Sequence, residues 1–346
     1  MADPPAKRPR HALKEPPFPC RHVLAPLVGC SDLAFRLLCR RHGATACYTE
    51  MLFADRFVGC ADYRERKLQT CAEDAPLVVQ FCGTDPATMG RAAALAAPHC
   101  AAVDINLGCP LPGAREGGFG AYLLERDRWA LVTAMVQAMR RAAPNLPVCC
   151  KIRLLPSLAD TVEFCRALEA AGVALIAVHG RHRPPADEHR GRRREAADLD
   201  AVRACVAAVG VPVLSNGNTQ AHEDAARNLA HTGAAGVMSG EGALRNPLLF
   251  APATAAEAGE GGAPSVPQLR RCADEYLALA ERHPPESSAV VRSHLMWLLG
   301  KSGKSHRCEF EHCGPYSGAQ LRLALLDADS LEEFRAVVAA VFGGVS

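Results

Sequence analysis

Short apolar runs alternate with longer amphipathic stretches along most of this 346-residue chain. Eight runs stand out: Val23–Leu27, Ala44–Tyr48, Leu77–Phe81, Ala102–Ile105, Val148–Ile152, Leu175–Val178, Val211–Leu214 and Ala235–Met238. Each has the length of a strand, so each predicts a buried β-strand. The stretches between them, among them Asp127–Ala142, Ala159–Ala171 and Leu199–Val209, carry apolar residues at helical spacing. They often end at Gly or Pro, as at Gly172-Val173 and Gly210-Val211-Pro212. Strands alternating with helices predict a parallel sheet, and eight is the number that closes into a (β/α)8, or TIM, barrel of the α/β class. An open doubly wound sheet is the rival, weakened by the lack of a GxGxxG turn after the first run.

The pattern changes after the eighth run. Ala253–Ser265 is rich in Ala, Gly, Glu and Pro and reads as a linker. Val266–Arg282, Ser287–Gly300, Gly318–Leu326 and Ser330–Val341 then read as helices with no strand between them. The expected organisation is a flexible leader (1–20), a barrel (21–252), a linker (253–265) and a small C-terminal helical domain (266–346).

Composition narrows the function classes. The chain is 49% hydrophobic and 22% charged, near the average for soluble globular proteins. A net charge of +2 excludes a globally basic nucleic-acid binder, so any grip on RNA must come from local clusters. Two are present. Arg181–Arg194 holds Arg181, Arg183, Arg190, Arg192, Arg193 and Arg194; Arg292–Arg307 holds Lys301 and Lys304 and no acidic residue. The sixteen cysteines are scattered, many inside apolar segments, and the polar, Pro-rich start is no secretory signal. These features predict reduced thiols in the cytoplasm or nucleus. Lys7-Arg8-Pro9-Arg10 resembles a minimal basic targeting signal, but its short length favours a disordered tail. No run of about 18 apolar residues is present, so no membrane span is expected. His306, Cys308, His312 and Cys313 lack the usual zinc spacing, and no metal is expected. Alternation sends Cys149 and Cys150 to opposite sides of their strand.

Barrel enzymes gather their chemistry at the C-terminal ends of the strands. Here those ends carry Ala25-Pro26-Leu27, Gln80, Asn106 followed by Leu107-Gly108-Cys109-Pro110, Lys151 and Arg153, His179-Gly180-Arg181, Asn216-Gly217-Asn218, and Ser239-Gly240-Glu241-Gly242. Each has an ordinary explanation, such as a turn glycine or a core histidine. Jointly they place amide, amine and imidazole groups around one mouth, where they can hydrogen-bond a planar heterocycle. Glycine-rich loops after the last two strands form the phosphate site common to this architecture. Flavin mononucleotide (FMN) fits both halves.

In these segments the chain resembles the tRNA-dihydrouridine synthase family. The matching stretches are APLVGCSDLAFR (25–36), TEM (49–51), VVQFCG (78–83), DINLGCP (104–110), KIR (151–153), VHGR (178–181), SNGN (215–218) and GVMSGEGALRNPLLF (236–250). They fall in order across residues 22–250, and the last looks most like the eukaryotic branch acting on positions 16 and 17 of the tRNA D loop. The resemblance implies that Pro26 and Leu27 meet the flavin ring and that Gln80, Lys151 and His179 are its polar contacts. It implies further that Asn216, Gly217, Asn218 and Gly240 hold the phosphate, with Glu241 beside them. Asn106 resembles a residue lining the uracil site, Arg153 and Arg181 fall on the substrate side, and Cys109 matches the catalytic cysteine. Leu27 stands where Met is common, Glu241 where many members carry Arg, and Arg115 where Lys is frequent. The 181–200 loop departs from the family's run.

The implied reaction saturates the uracil C5–C6 bond, by a hydride from reduced flavin and a proton from the protein. NADPH or NADH would reduce the flavin transiently, since no dinucleotide fingerprint is present. A free thiol, with its ordinary pKa near 8.5, is largely protonated at neutral pH and serves as a general acid without tuning. The expected partners are tRNA and a pyridine nucleotide, with no membrane, and the expected state is a monomer. Two rivals remain: a flavin barrel reductase of a small molecule, of dihydroorotate or enoate type, and a non-catalytic RNA-binding protein.

Overall fold

The computed structural model describes residues 15–184, 195–251, 264–299 and 318–342. Its strands are β1 (His22–Leu24), β2 (Ala46–Tyr48), β3 (Leu52–Phe53), β4 (Leu77–Cys82), β5 (Ala102–Leu107), β6 (Val148–Leu154), β7 (Leu175–His182), β8 (Val213–Asn216) and β9 (Gly236–Ser239). Among the described residues, eight of these close a parallel barrel in the order β2-β1-β9-β8-β7-β6-β5-β4, with β4 pairing back onto β2. Each of the eight apolar runs overlaps one barrel strand. The exception to the expected pattern is β3, whose two residues lie beside Phe81 and Cys82 at the far end of β4. So short a strand carries no periodicity of its own.

Alternation sorts the strands into two layers. Ala102, Asp104 and Asn106 point into the barrel, while Val103, Ile105 and Leu107 point out into the core beneath the helices. Cys149 falls in the inner cluster and Cys150 in the outer one, on opposite faces as expected. The inner layer runs from Val23, Ala46, Ala102, Leu175 and Leu214 at the floor to polar groups at the mouth. Phe18 and Cys20 join that floor, 5% and 3% exposed. Residues 18–20, expected to belong to a flexible leader, are thus part of the fold. Burying two apolar side chains under the barrel orders that stretch.

The surrounding helices are α1 (Leu33–Arg41), α2 (Ala54–Gly59), α3 (Ala61–Lys67), α4 (Pro86–Ala96), α5 (Pro112–Glu116), α6 (Trp129–Ala142), α7 (Leu158–Ala171), α8 (Leu199–Ala208), α9 (His222–Thr232) and α10 (Glu241–Arg245). Several start where a short polar side chain caps the free N–H groups: Asp32 for α1, Asp85 for α4, Ser157 for α7 and Asp198 for α8. Helix α7 stops at Gly172, whose φ of 95° suits a residue without a Cβ. A buried ion pair joins α1 to the segment before β4: Arg36 Nε and Nη2 donate to Asp74 Oδ2 at 3.0 and 2.7 Å, and Arg40 Nε to Oδ1 at 3.2 Å.

Four further helices follow: α11 (Val266–Arg282), α12 (Ser288–Leu299), α13 (Gly318–Asp327) and α14 (Leu331–Phe342). Their apolar faces do not form a core apart. Leu269, Tyr276, Leu295, Leu298, Phe334 and Val338 share one cluster with Leu33, Phe35 and Leu37 of α1 and Leu244 of α10. No helix among the described residues is long and apolar enough to cross a membrane. Most of the expected linker, Arg190, Arg192–Arg194, Lys301, Lys304 and the His306–Cys313 cluster lie outside the described residues.

Candidate active site

Strand register brings the predicted residues to one end of the barrel. Gln80 lies beside Asp104, Asn106 beside Lys151, Arg153 beside His179, His179 beside Asn216 and Asn216 beside Met238. Leu24 lies beside Ser239, so Pro26 and Leu27 meet the loop after β9. A Cβ placed on Gly240 would stand 3.0 Å from Leu27 Cδ2. A glycine is what lets the first and last strand loops close on each other.

One side of this mouth is a chain of side-chain amides. Gln80 is fully buried, and its Nε2 donates to Asp104 Oδ2 at 2.9 Å. Its Oε1 accepts from Asn106 Nδ2 at 2.7 Å. Asn106 Oδ1 then accepts from the backbone N–H groups of Gly108 (3.0 Å) and Cys109 (2.9 Å). The Asp104 oxygen is an acceptor in this contact. Asp104 therefore sets the orientation of Gln80, Gln80 that of Asn106, and Asn106 that of the turn bearing Cys109. Burial pushes the Asp104 carboxyl up to about 7, against the Gln80 hydrogen bond and the Lys151 charge. Its Oδ1, Tyr48 Oη and Ser215 Oγ are buried without a hydrogen-bond partner.

The Cys109 turn is held from two further sides. Arg153 Nε donates to the Gly108 carbonyl at 2.8 Å, and Arg153 Nη1 to the His182 carbonyl at 3.1 Å. Ala121 N–H donates to the Cys109 carbonyl at 3.0 Å. Gly120, at φ +66°, leaves no room for a Cβ, which would meet Cys109 O at 2.7 Å. Cys109 is half-buried, and burial raises its thiol pKa against the lowering effects of the Leu111 backbone, Arg153 and Lys151. The thiol is thus held in its protonated form at neutral pH.

The other side of the mouth is built from backbone. Gly217 adopts φ +118° and packs on Ala197, where a Cβ would come within 2.6 Å. Asn218 also takes a positive φ of 54°. Its side chain binds Ala197 N and O, both at 2.8 Å, and so shapes the loop. Asn228 of α9 donates to the Asn218 carbonyl (3.1 Å) and Ser239 Oγ to the Thr219 carbonyl (2.8 Å). Asn216 Nδ2 donates to the Met238 carbonyl at 2.8 Å. Arg181 spans this side: Nη1 lies 3.0 Å from His179 Nε2, Nη2 donates to Asn218 Oδ1 (3.2 Å) and Nε to the Glu195 carbonyl (2.9 Å). Glu241 opens α10 next to Gly240.

Two arginines expected on the substrate side, Arg153 and Arg181, are thus tied into the scaffold. Arg183 and Arg292 of the basic stretches are engaged too. Arg183 donates to Glu125 and lies over the Tyr122 ring; Arg292 donates to the Leu325 and Ala328 carbonyls at the end of α13. The sequence reading missed Asp104, Gly120 and Asn228. Asp104 had a signal, because alternation places it on the same inward face as Asn106. A cavity of about 450 Å³ lies at the ends of β3 and β4, lined among others by Phe53, Arg56, Cys82, Thr84, Asp85 and Phe119.

Residues 23–328 match the dihydrouridine synthase family. A rat protein named tRNA-dihydrouridine(16/17) synthase [NAD(P)(+)]-like is 42% identical over 319 residues, covering 92% of this chain and 66% of its own length. A Schizosaccharomyces pombe tRNA-dihydrouridine(16/17) synthase [NAD(P)(+)] is 34% identical over 292 residues, covering 81% of this chain and 69% of its own. The chain spans 66% of the rat relative and 60% of the mouse one, less than two thirds of each. Among solved structures, the old yellow enzyme from Trypanosoma cruzi superposes with a TM-score of 0.51 at 11% identity, over 68% of this chain and 90% of that one. At that identity the likeness is one of fold. With the family match covering most of the chain, and Cys109, Lys151, His179 and Asn216 gathered where a barrel enzyme keeps its chemistry, the chain belongs to the dihydrouridine synthase family.

Proposed function

We propose that this protein reduces uridine in tRNA to dihydrouridine, with FMN as cofactor and NADPH or NADH as reductant. The observation that carries the reading is the Asp104–Gln80–Asn106 relay, which ends on the backbone of Cys109. The donor set fits the cofactor. Lys151 and His179 offer ammonium and imidazole to a polar ring edge, while the amide of Gln80 is committed to Asp104 and Asn106. The loops at Gly217 and Gly240 are closed tightly on Ala197 and Leu27, and carbonyls beside them are already taken by Asn228 and Ser239, which suits a phosphate. Held by these groups, FMN would supply the hydride that goes to C6 of the pyrimidine.

The chain's own residues supply the rest. Cys109 delivers the proton to C5, and burial keeps its thiol protonated through neutral pH. Asn106 holds the turn on which Cys109 sits, and Arg153 braces it from β6. The uridine has to leave the folded tRNA to reach the mouth. The C-terminal helices form the tRNA-binding domain, and Lys301 and Lys304 offer the phosphate contacts that drive affinity. Positions 16 and 17 are the favoured targets, as in the names of the rat and yeast relatives. The protein acts as a monomer in the cytoplasm or nucleus.

Purified protein is expected to carry a flavin absorbance band. Loss of the protein from its source cell is expected to remove dihydrouridine from tRNA at positions 16 and 17, mapped nucleotide by nucleotide. Intact dihydrouridine at every position would sink the reading. Loss at other positions would move the target, and a bound flavin with unaltered tRNA would favour a small-molecule reductase.

A further inference from the structure

Helix α12 presents Ser293, His294 and Trp297 toward the barrel. His294 is fully buried, with Nε2 2.6 Å from Asp32 Oδ1. Its ring stacks on Phe35 at 4.3 Å between centroids. Asp32 also accepts from Phe35 N–H (3.3 Å) and from the Tyr276 hydroxyl of α11 (3.4 Å). Ser293 Oγ lies 3.3 Å from Cys30 Sγ. The Trp297 ring lies under the Arg245 guanidinium, 5.6 Å from its centroid. A second bridge runs from Glu286, before α12, to Lys67; Lys67 binds Glu50 Oε1 at 2.9 Å, and Glu50 Oε2 accepts from Gly29 N–H at 3.1 Å.

Apart from the His294 ring on Phe35 of α1, these contacts lead to two short segments: the Pro26–Asp32 loop after β1, and α10 after β9. These are the segments that touch at Leu27 and Gly240. An apolar seam alone would hold the helices, and the shared cluster of α1, α11 and α12 supplies one. A buried polar pair adds little net stability over such packing; its use is to fix one geometry. Burial works against the Asp32 carboxylate, yet His294 and Arg36 outweigh it and hold its pKa below the ordinary value.

We infer that His294 is a positioning residue of the barrel mouth: through Asp32 it holds the Pro26–Asp32 loop in place, so that α12 sets how tightly the mouth binds flavin. The C-terminal helices are then part of the cofactor site as well as a surface for RNA. The inference rests on the reading of that mouth as a flavin site.

The test measures FMN affinity of the full-length protein by quenching of flavin fluorescence, with the melting point of the flavin-free protein alongside. Removing a buried charged hydrogen bond is expected to weaken FMN binding about tenfold in His294→Leu. His294→Gln, which keeps an N–H donor for Asp32, is expected to stay within about threefold of wild type. Phe334→Leu, in α14 away from the loop, is expected to lower the melting point without moving FMN affinity. Glu286→Ala, a surface change that leaves the fold intact, is expected to weaken binding about twofold through the second bridge. Wild-type affinity in His294→Leu overturns the inference; so does an equal loss in Phe334→Leu, which would mark a general effect of destabilisation. If His294→Leu does not fold, His294→Phe, which keeps a ring against Phe35 and loses only the donor to Asp32, takes its place, and wild-type affinity there overturns the inference. Wild-type protein that binds no FMN would refute the flavin site itself, a separate result.

Discussion

The two sides of the barrel mouth are built by different means. On the β4–β5–β6 side, side chains hold side chains: Asp104, Gln80 and Asn106 form one polar line that stops at Cys109. On the β8–β9 side, side chains hold backbone: Asn216, Asn218, Asn228 and Ser239 each donate to a main-chain carbonyl. On the proposed function, the first arrangement would place the reactive thiol, and the second would shape loops around the cofactor. Chemistry and cofactor binding should therefore separate when each side is damaged.

The largest effect is expected on the first side. Cys109→Ala should lower turnover about 100- to 10,000-fold, the usual worth of a general acid, while its bound flavin and melting point stay near wild type. Turnover at the wild-type rate would remove Cys109 from the mechanism. Next come two substitutions that pit the sides against each other. Asn106→Ala leaves the Gly108 and Cys109 N–H groups without their acceptor, and should lower turnover about 10- to 100-fold, by the cost of unmade hydrogen bonds. Its flavin affinity should hardly move. Gly217→Ala forces a Cβ against Ala197 at positive φ, a strain of about 1–3 kcal/mol. It should weaken flavin binding while turnover at saturating flavin persists. If both variants lose the same property, the division of labour is wrong.

The smaller effects concern pH. Asp104 titrates at about 7 in the fold, far above the ordinary value of about 3.9. The native state therefore holds this proton through a range where the unfolded chain releases it. That contribution to stability is complete below about pH 4 and is lost as pH rises to about 7. In Asp104→Asn the slope of stability against pH across this window should flatten, as measured by denaturant unfolding at several pH values. An unchanged slope would place the titration elsewhere. The raised Cys109 pKa makes a further prediction. Alkylation of Cys109, followed by peptide mapping, should rise with its midpoint above the ordinary thiol value of about 8.5. A midpoint below pH 7 would indicate a thiolate and contradict a proton donor.

Much of this was readable from the pattern of residues alone. Strand alternation follows from the geometry of an extended chain, so the eight runs, the opposite facing of Cys149 and Cys150 and the polar strand ends followed directly. The helix end at Gly172 followed from the same local chemistry. The fates of Arg153, Arg181 and Arg292 did not. A run of basic residues predicts positive charge, but each guanidinium goes to whichever carbonyls the fold brings within reach. The Asp32–His294 pair spans 262 positions of sequence, and no local period links such residues. Local geometry and hydrophobic spacing thus decided, within the chain itself, which elements form and which residues face the mouth. Closing the barrel and docking α11–α14 against α1 decided which polar groups meet, because hydrogen bonds between distant residues exist only once the apolar faces have packed.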